Sequence, residues 1–334
     1  MKRALIVMII LWMKFHAFSQ DAIYSQFYNA PNYLNPALNG QFAGDLRVNF
    51  IHRSQWTTLS GPLNYSSFSV DYNVPKFGGG FGLLATRSSE GTTYLKRNTL
   101  SGIYSYSVEW DYAVLSFGVQ AGLGNLKFDY NKAVFYDQLD DRGPIDVATK
   151  ANLPSQNNRF YFDSGAGVNL VFYNAMIGAS LQHINKPNES FSGAKSLLDM
   201  RINSHASYRF NLDYYDELDG PALIPSVVYY RQYGMNSVSA GVQFKTRKVN
   251  LGAWYRGEGK QRDAFVFSIS LDIFNRADSY DKVRVGVSHD ATASKLKYGE
   301  TGGSTEGAVT WETTFPNSDG NERYNYGKRC YDFY

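Results

Sequence analysis

The feature that most constrains this chain is a period-two alternation of apolar and polar residues, which recurs from Asp45 to Phe315. In the stretch VSAGVQF (Val238–Phe244), every second residue is apolar and those between are Ser, Gly and Gln. Successive side chains of a β-strand point to opposite faces, so the pattern predicts strands with one apolar face. We identify about 14 such segments, near 45–52, 63–72, 79–87, 99–108, 112–128, 159–172, 174–184, 201–212, 222–231, 236–246, 248–256, 263–274, 282–289 and 306–315.

The segment lengths and connections favour an all-β fold, a transmembrane antiparallel β-barrel of about 14 strands. Most segments approach the roughly 9–11 residues that a tilted strand needs to cross a membrane. Connections tend to alternate between long and short, as on the two sides of an outer-membrane barrel, although 213–221 and 232–235 depart from this. A soluble β-sandwich or propeller is the alternative, without a visible blade repeat. The long connections are 53–62, 88–98, 129–158, 185–200 and 290–305, and the shorter ones 73–78, 109–111, 173, 247 and 275–281.

The N-terminal residues 1–19 have the pattern of a secretory signal peptide. Lys2 and Arg3 precede the apolar run Ala4–Met13, and the small residues Ala17 and Ser19 form a cleavage pattern. Cleavage there makes Gln20 the first mature residue. The alternative is a membrane anchor, but the run is shorter than the roughly 20 residues of a spanning helix. We therefore predict export to the outer membrane.

Charge and cysteine content exclude two further classes. Without Lys2, Arg3 and Lys14, basic residues equal the 30 acidic ones, so there is no electrostatic case for a nucleic-acid partner. Cys330 is the single cysteine, so an internal disulfide framework is excluded.

The stretch YSQFYNAPNYLNPALNG (Tyr24–Gly40) predicts a compact turn that needs a surface to cover it. Asn35 can cap a helical turn, Pro36 suits its first position, and Gly40 can end it in a left-handed conformation. One turn is marginal alone, and the stretch is rich in aromatic and amide groups. We expect this segment to fold into the polar lumen as a partial plug.

The same stretch, followed by RVNFIHRSQWTTL, closely resembles the start of the PorP/SprF family. That resemblance implies an outer-membrane barrel of Bacteroidetes-type bacteria, associated with type IX secretion and gliding motility. It implies as partners other type IX secretion components, outer-membrane lipid and a large secreted adhesin-type protein, secreted or held at the surface through its C-terminal domain. The matching residues are Ser25, Gln26, Phe27, Tyr28, Leu34, Asn35, Pro36, Ala37, Arg53, Gln55 and Trp56.

Residue types that carry chemistry are present but poorly arranged. Asp137, Asp140 and Asp141 lie in the longest loop without EF-hand spacing, so a solvated loop is favoured over a calcium site. Ser288–Asp290 has the residue types of a catalytic triad in a row. Neighbouring side chains on a strand point to opposite faces, so these three are not expected to form a triad. His183, His205 and His289 lie on different predicted strands, so they could share a metal only if the barrel brings the three side chains together. We therefore expect no catalytic or metal site and no cofactor.

Two further patterns concern glycine and arginine. Phe77–Gly82 is glycine-rich, but no helix follows, so it is expected to open a strand and not to bind phosphate. Five arginines are expected to face the lumen and pair with carboxylates such as Asp163. They are Arg201, Arg209, Arg231, Arg256 and Arg284.

The predicted organisation is a signal peptide at 1–19, an N-terminal segment at 20–44, a barrel at 45–315 and a tail at 316–334. The tail is expected to be flexible or to pack in the lumen, with docking on periplasmic machinery as the alternative. We expect a non-enzymatic barrel whose loops 129–158 and 185–200 recognise an exported protein. The alternative is a passive channel for small or hydrophobic solutes.

Overall fold

The computed structural model describes residues 21–315, with gaps at 43, 60, 75–77, 92–93, 146, 214–219, 259–261, 275–280 and 296, together with Phe333. The signal peptide predicted at 1–19 and the tail residue Cys330 lie outside the described residues. None of the described helices is long and apolar enough to cross a membrane.

Fourteen antiparallel strands form a closed barrel, which confirms the predicted fold class. Each strand pairs with the next along the chain, and the last strand pairs with the first from Leu46 opposite Thr313 to Gln55 opposite Ser304. The strands are β1 (Leu46–Gln55), β2 (Leu63–Val74), β3 (Gly79–Glu90), β4 (Leu95–Trp110), β5 (Ala113–Phe128), β6 (Asn158–Phe172), β7 (Ala175–Gln182), β8 (Arg201–Tyr208), β9 (Ala222–Gln232), β10 (Met235–Lys245), β11 (Val249–Gly257), β12 (Arg262–Phe274), β13 (Lys282–Thr292) and β14 (Ser304–Thr313).

The barrel turns its apolar face outward, which is opposite to the arrangement in a soluble β-sandwich. In β12, Phe267 is 61% exposed whereas the next residue, Ser268, is 8% exposed. In β13, Val285 and Val287 are exposed, whereas Arg284 is buried on the lumen side of the strand. Apolar side chains facing outward are stable only against lipid, so the wall is that of a membrane barrel.

The two ends of the barrel differ in the length of their connections. At one end, short connections join β2 to β3, β4 to β5, β6 to β7 and β10 to β11. At the other end lie the long connections 129–157, 183–200 and 293–303. In outer-membrane barrels the short turns are periplasmic and the long loops extracellular. The end with the short turns is therefore the periplasmic end of this barrel, and the end with the long loops is its extracellular end.

Two predicted connections are shorter or more ordered than the sequence pattern indicated. The predicted long loop 88–98 is only 91–94, because β3 and β4 continue with polar residues that face the lumen. The predicted strand 201–212 is interrupted after β8, and Phe210–Asn211 forms a short extra strand beside β9. The longest loop contains a small hairpin of Leu139–Asp140 and Gly143–Pro144.

Candidate functional site: the filled lumen

Residues 21–42, which we call the plug, lie inside the barrel. The backbone N–H of Asp21 donates to Gln232 Oε1 (2.9 Å) at the extracellular end. The backbone N–H of Gly40 donates to Asp71 Oδ2 (2.8 Å) near the periplasmic end. The plug therefore runs along the lumen from the outer end to the inner end, and the chain then enters β1. All of its residues are buried except the half-buried Asp21, Ile23 and Tyr33.

The local structure of the plug follows from its caps and prolines. Asn35 Oδ1 accepts the backbone N–H of Ala37 (2.9 Å) and caps a 3-10 turn over Pro36–Leu38. Gly40 follows in the left-handed region, with φ of 69°. These features agree with the sequence prediction, but two more turns, Phe27–Asn29 and Pro31–Leu34, were not predicted. Three short turns produce a compact segment that fits inside the barrel.

One carboxylate of the wall holds the start of the plug. Glu306 in β14 accepts the backbone N–H groups of Ser25 (2.7 Å) and Gln26 (2.9 Å). The same carboxylate forms an ion pair with Arg53 of β1. All four residues are buried. Because a buried carboxylate needs donors on its oxygens, Glu306 ties the plug to the seam where β1 and β14 close the barrel.

A second carboxylate extends this arrangement into a balanced cluster of buried charges. Asp290 pairs with Arg53 (2.8 Å) and with Arg256 (2.9 Å), and it accepts a hydrogen bond from Ser25 Oγ (2.8 Å). Arg256 also pairs with the half-exposed Asp263 (2.6 Å), so the cluster contains two guanidinium groups, the two buried carboxylates Glu306 and Asp290, and one carboxylate at its edge. Opposite charges in contact offset part of the desolvation penalty, so the removal of any one member leaves an unpaired buried charge.

The second half of the plug lies against β5, β6 and β7. Asn35 Nδ2 donates to the carbonyl of Val168 (3.0 Å), and Ser180 Oγ donates to the carbonyl of Leu34 (2.8 Å). The wall comes so close that a Cβ atom at Gly118 would lie 2.2 Å from the carbonyl carbon of Pro36. A residue without a side chain at this point of the wall therefore makes room for the plug backbone.

An apolar cluster joins the plug to the inner wall. Tyr28 stacks on Trp254 of β11, with ring centroids 5.9 Å apart and an interplanar angle of 26°. Phe333, the one described residue of the tail, is fully buried in this cluster. This one residue of the predicted tail therefore lies in the lumen. The cluster contains Phe27, Tyr28, Leu34, Leu38, Val114, Val171, Met176, Ala222, Ile224, Val228, Tyr230, Trp254, Val266 and Phe333.

A cavity of about 420 Å³ lies above the plug at the extracellular end, and we call it the vestibule. Asp21 and Ile23 of the plug line it together with Arg201 and Tyr230 of the wall. Gln55, Trp56, Leu63 and Met235, at the outer ends of the strands, line its rim. The plug is therefore the floor of a pocket on the outer side of the barrel.

Asp21 joins the plug to the extracellular loop 183–200. Its carboxylate contacts His183 Nε2 (2.7 Å), and His183 Nδ1 contacts Asp163 (2.9 Å). Burial raises the pKa of Asp21, but His183 and Arg97 outweigh burial and hold that pKa well below its ordinary value. Burial lowers the pKa of His183, but Asp21 and Asp163 outweigh it and raise that pKa to about 9. His183 is therefore a cation between two carboxylates at neutral pH.

A sequence model of the family described as type IX secretion system membrane protein PorP/SprF matches residues 16–310, nearly the whole chain. The chain belongs to the PorP/SprF family. Its place in the outer membrane follows from this membership together with the apolar exterior of the barrel. No significant match occurs among curated proteins.

Several outer-membrane proteins of known structure are similar to this chain. The CymD monoaromatic hydrocarbon channel has a TM-score of 0.49 and 11% identity, over 90% of this chain and 95% of CymD. The P. putida toluene transporter TodX has a TM-score of 0.47 and 11% identity, over 85% of this chain and 93% of TodX. The Acinetobacter baumannii outer membrane protein Omp33 has a TM-score of 0.42 and 8% identity, over 81% of this chain and 98% of Omp33. At these scores and identities the similarities carry no argument about function.

The pieces of the PorP/SprF motif meet in the lumen. Gln26 in the plug and Arg53 in β1 both bind Glu306, although they are separated along the chain. Gln55 and Trp56 lie just above them at the vestibule rim. Phe27, Tyr28, Asn35, Pro36 and Ala37 are buried in the plug. Glu306 completes the arrangement and was missed in the sequence, where only its lumen-facing position in its strand could have marked it. Arg256 was expected to face the lumen and pair with a carboxylate, and it pairs with Asp290, which the sequence did not connect with the motif.

The other residues singled out in the sequence are not brought together. Asp137 binds Thr149 Oγ1 (2.8 Å) within its own loop. No group of three or more metal-ligating side chains occurs among the described residues. Ser288 and Asp290 face the lumen and His289 the outer side, as the strand parity predicted.

Two expectations about the arginines were wrong. Arg231 is exposed, because its neighbours Tyr230 and Gln232 take the inward positions of β9. Asp163 pairs with His183 and not with one of the five arginines. Arg201, Arg209, Arg256 and Arg284 are buried as expected.

Proposed function

We propose that this PorP/SprF protein is a non-enzymatic barrel that supports the secretion, or the anchoring at the cell surface, of large adhesin-type proteins through their C-terminal domains. It acts with other type IX secretion components, in gliding motility among other processes. Its signal peptide is removed after Ser19, and the mature chain begins at Gln20. The observation that carries the proposal is the filled lumen.

A filled lumen favours a protein partner over a diffusing solute. The plug is tied to the wall by the charge cluster around Arg53, by Asn35 and by the apolar cluster around Trp254. A passage through the barrel requires these contacts to be broken, which opposes the alternative of a passive channel. The surfaces that remain are the vestibule and the extracellular loops.

The loops 129–157 and 183–200 offer a contact surface of suitable chemistry. Tyr136 is 92% exposed, and Val134, Leu139 and Ile184 are also exposed in these loops. Aromatic and apolar side chains at a polar rim are the residues that protein interfaces bury. Loop 183–200 is held to the plug through His183, so its position is fixed before a partner binds.

Deletion of the gene, followed by mass spectrometry of surface and secreted proteins, tests this proposal. We expect at least one large adhesin-type protein to disappear from the surface and to return when the wild-type gene is restored. A pulldown from gently solubilised outer membranes should recover the same protein with this barrel. An unchanged surface proteome in the deletion strain would refute the proposal.

A further inference from the structure

One buried arginine of the vestibule differs from the others in its partners. Arg201 is 2% exposed, and its Nε donates to Asn203 Oδ1 (2.8 Å) while Nη1 donates to the Tyr33 hydroxyl (2.7 Å). Among the residues that the structure describes, none forms a hydrogen bond with its Nη2. By contrast, Arg53 and Arg256 each bind carboxylates of the wall. Within the described part of the chain, the hydrogen bonds of Arg201 therefore go to neutral groups, and the Asp21 carboxylate acts on it as a nearby charge.

The guanidinium of Arg201 is held rigidly at the vestibule. The Tyr33 and Tyr230 ring centroids each lie 4.9 Å from its central carbon, so an aromatic ring packs against it from the plug and another from the wall. Cation–π contacts of this kind fix the orientation of a guanidinium without neutralising it. An unpaired, buried donor that is fixed in place is costly unless a ligand or water satisfies it.

We propose that Arg201 binds a carboxylate of a peptide segment that enters the vestibule from outside. A guanidinium edge with a free Nη2 suits the planar carboxylate group. The cavity of about 420 Å³ lies within the usual range of ligand sites and has room for a short segment. This inference rests on the proposed function, because the segment belongs to the exported protein.

The remaining lining explains why a peptide carboxylate fits better than a free phosphate. The acidic residues Asp21, Glu90, Glu258 and Asp263 line the vestibule together with Arg53, Arg201 and Arg256. A dianion would be repelled by this acidic excess, whereas a peptide brings one carboxylate and several N–H donors. Ile23, Trp56, Leu63 and Met235 supply apolar area for its side chains. The carboxylate is either the terminal group of the partner chain or an acidic side chain.

Titration of the detergent-solubilised mature protein with matched tripeptides, followed by saturation-transfer NMR, tests this site. The probes are acetyl-Gly-Gly-Leu with a free carboxylate, its C-terminal amide and acetyl-Gly-Asp-Leu amide. Inorganic phosphate, which has no C–H protons to observe, is titrated as a competitor of the bound peptide. We expect at least one carboxylate peptide to bind about tenfold more tightly than the neutral amide. The free-carboxylate and Asp peptides distinguish a terminal group from a side chain. If both carboxylate peptides bind the protein no more tightly than the neutral amide does, the proposal is overturned. It is also overturned if phosphate binds more tightly than the carboxylate peptides.

Arg209 provides a matched control for Arg201. It is also fully buried, and its Nε also donates to an asparagine two residues later, Asn211, but it lies at the periplasmic end of β8 and does not line the vestibule. We expect Arg201→Gln to abolish the preference for a carboxylate, Arg201→Lys to keep part of it, and Arg209→Gln to keep it fully. A preference that survives Arg201→Gln would contradict the assignment. If that variant fails to fold, the wild-type comparison of acid with amide decides.

Replacement of the chromosomal gene separates this inference from the proposed function. If both hold, Arg201→Gln lowers the amount of the surface adhesin at normal barrel abundance, and Arg209→Gln does not. If Arg201→Gln leaves the surface proteome intact while gene deletion depletes it, the carboxylate site is wrong and the proposed function stands. If gene deletion leaves the surface proteome unchanged, the proposed function fails. The tripeptide titration then remains the test of carboxylate binding at Arg201.

Discussion

At the scale of single residues, Glu306 is the carboxylate that holds the start of the plug to the wall. It accepts two backbone N–H groups of the plug and pairs with Arg53. Glu306→Gln removes one of the two carboxylates that Arg53 binds, and the other, Asp290, is shared with Arg256, so the positive charge of Arg53 is left partly uncompensated. Because this uncompensated charge is buried, we expect the free energy of unfolding to fall by about 3–5 kcal/mol.

Urea titration of the protein in detergent micelles measures this change. The matched control is Glu300→Gln, since Glu300 is exposed near the extracellular end. The control should differ from wild type by less than about 0.5 kcal/mol. Equal loss in the two variants would show that the cluster does not stabilise the plug.

His183, one residue beyond β7, predicts a dependence of stability on pH. Its pKa is raised in the folded protein to about 9, so the stabilisation is complete below its unfolded value near 6.5 and is lost as pH rises through about 9. The groups that face it are Asp21 and Asp163, with Arg97 and Glu189 beside them. The shift corresponds to about 3 kcal/mol.

Unfolding free energies at about pH 6 and about pH 9.5 check this prediction. Wild type should lose stability at the higher pH, and His183→Gln should lose much less between the same two values. His52→Gln is the control, because His52 is exposed on the outer side of β1 and should respond like wild type. A wild-type stability that is independent of pH in this interval would contradict the charged state of His183.

At the scale of elements, the strands could be predicted because their alternation is local. The wall alternates in every strand, so the outward valines of β13 and the inward serine at 288 needed no knowledge of their partners. The loop predicted at 88–98 was too long because lumen-facing polar residues such as Arg97 resemble loop residues in a sequence. The inside of this barrel is polar, so polarity there does not mark the end of a strand.

The plug was predicted as a segment but not in its contacts. Asn35, Pro36 and Gly40 define a turn through interactions within a few residues, and that turn is present. The contacts of Ser25 with Glu306 span 281 residues along the chain. No local pattern reports such a pair, so the charge cluster and the vestibule could not be derived from the sequence.

Gly118 gives a prediction at the contact between plug and wall. Gly118→Ala places a Cβ atom 2.2 Å from the carbonyl carbon of Pro36, so the plug must shift. We expect a loss of about 1–3 kcal/mol in unfolding free energy and faster protease cleavage within the plug. Gly307→Ala in β14 is the matched control, since no atom of the described chain lies within 4 Å of its Cβ position. The control should be neutral or slightly stabilising. Equal protection of the plug in both variants would argue against tight contact at Gly118.

At the scale of the whole molecule, the fold combines two elements that depend on each other. The barrel needs groups to satisfy its buried lumen charges, and the plug needs a surface because its turns are too short to be stable alone. Arg53 serves both, since it lies in the first strand and binds the carboxylates that hold the plug. A barrel of this construction presents a closed floor and a pocket to the outside.

The closed floor predicts that the wild-type protein does not conduct ions. In planar bilayers we expect no steady conductance from wild type and stable openings after deletion of residues 20–44, because a barrel of about 14 strands is wide enough for water once it is empty. Deletion of 131–155, which removes the same number of residues from the longest loop, should leave the protein closed, since the plug is held by hydrogen bonds to the wall. The β-sheet content of each variant, measured by circular dichroism, shows whether the barrel has folded. Steady conductance of folded wild type, at a level equal to that of the 20–44 deletion, would mean that the plug does not close the lumen and would favour a passive channel.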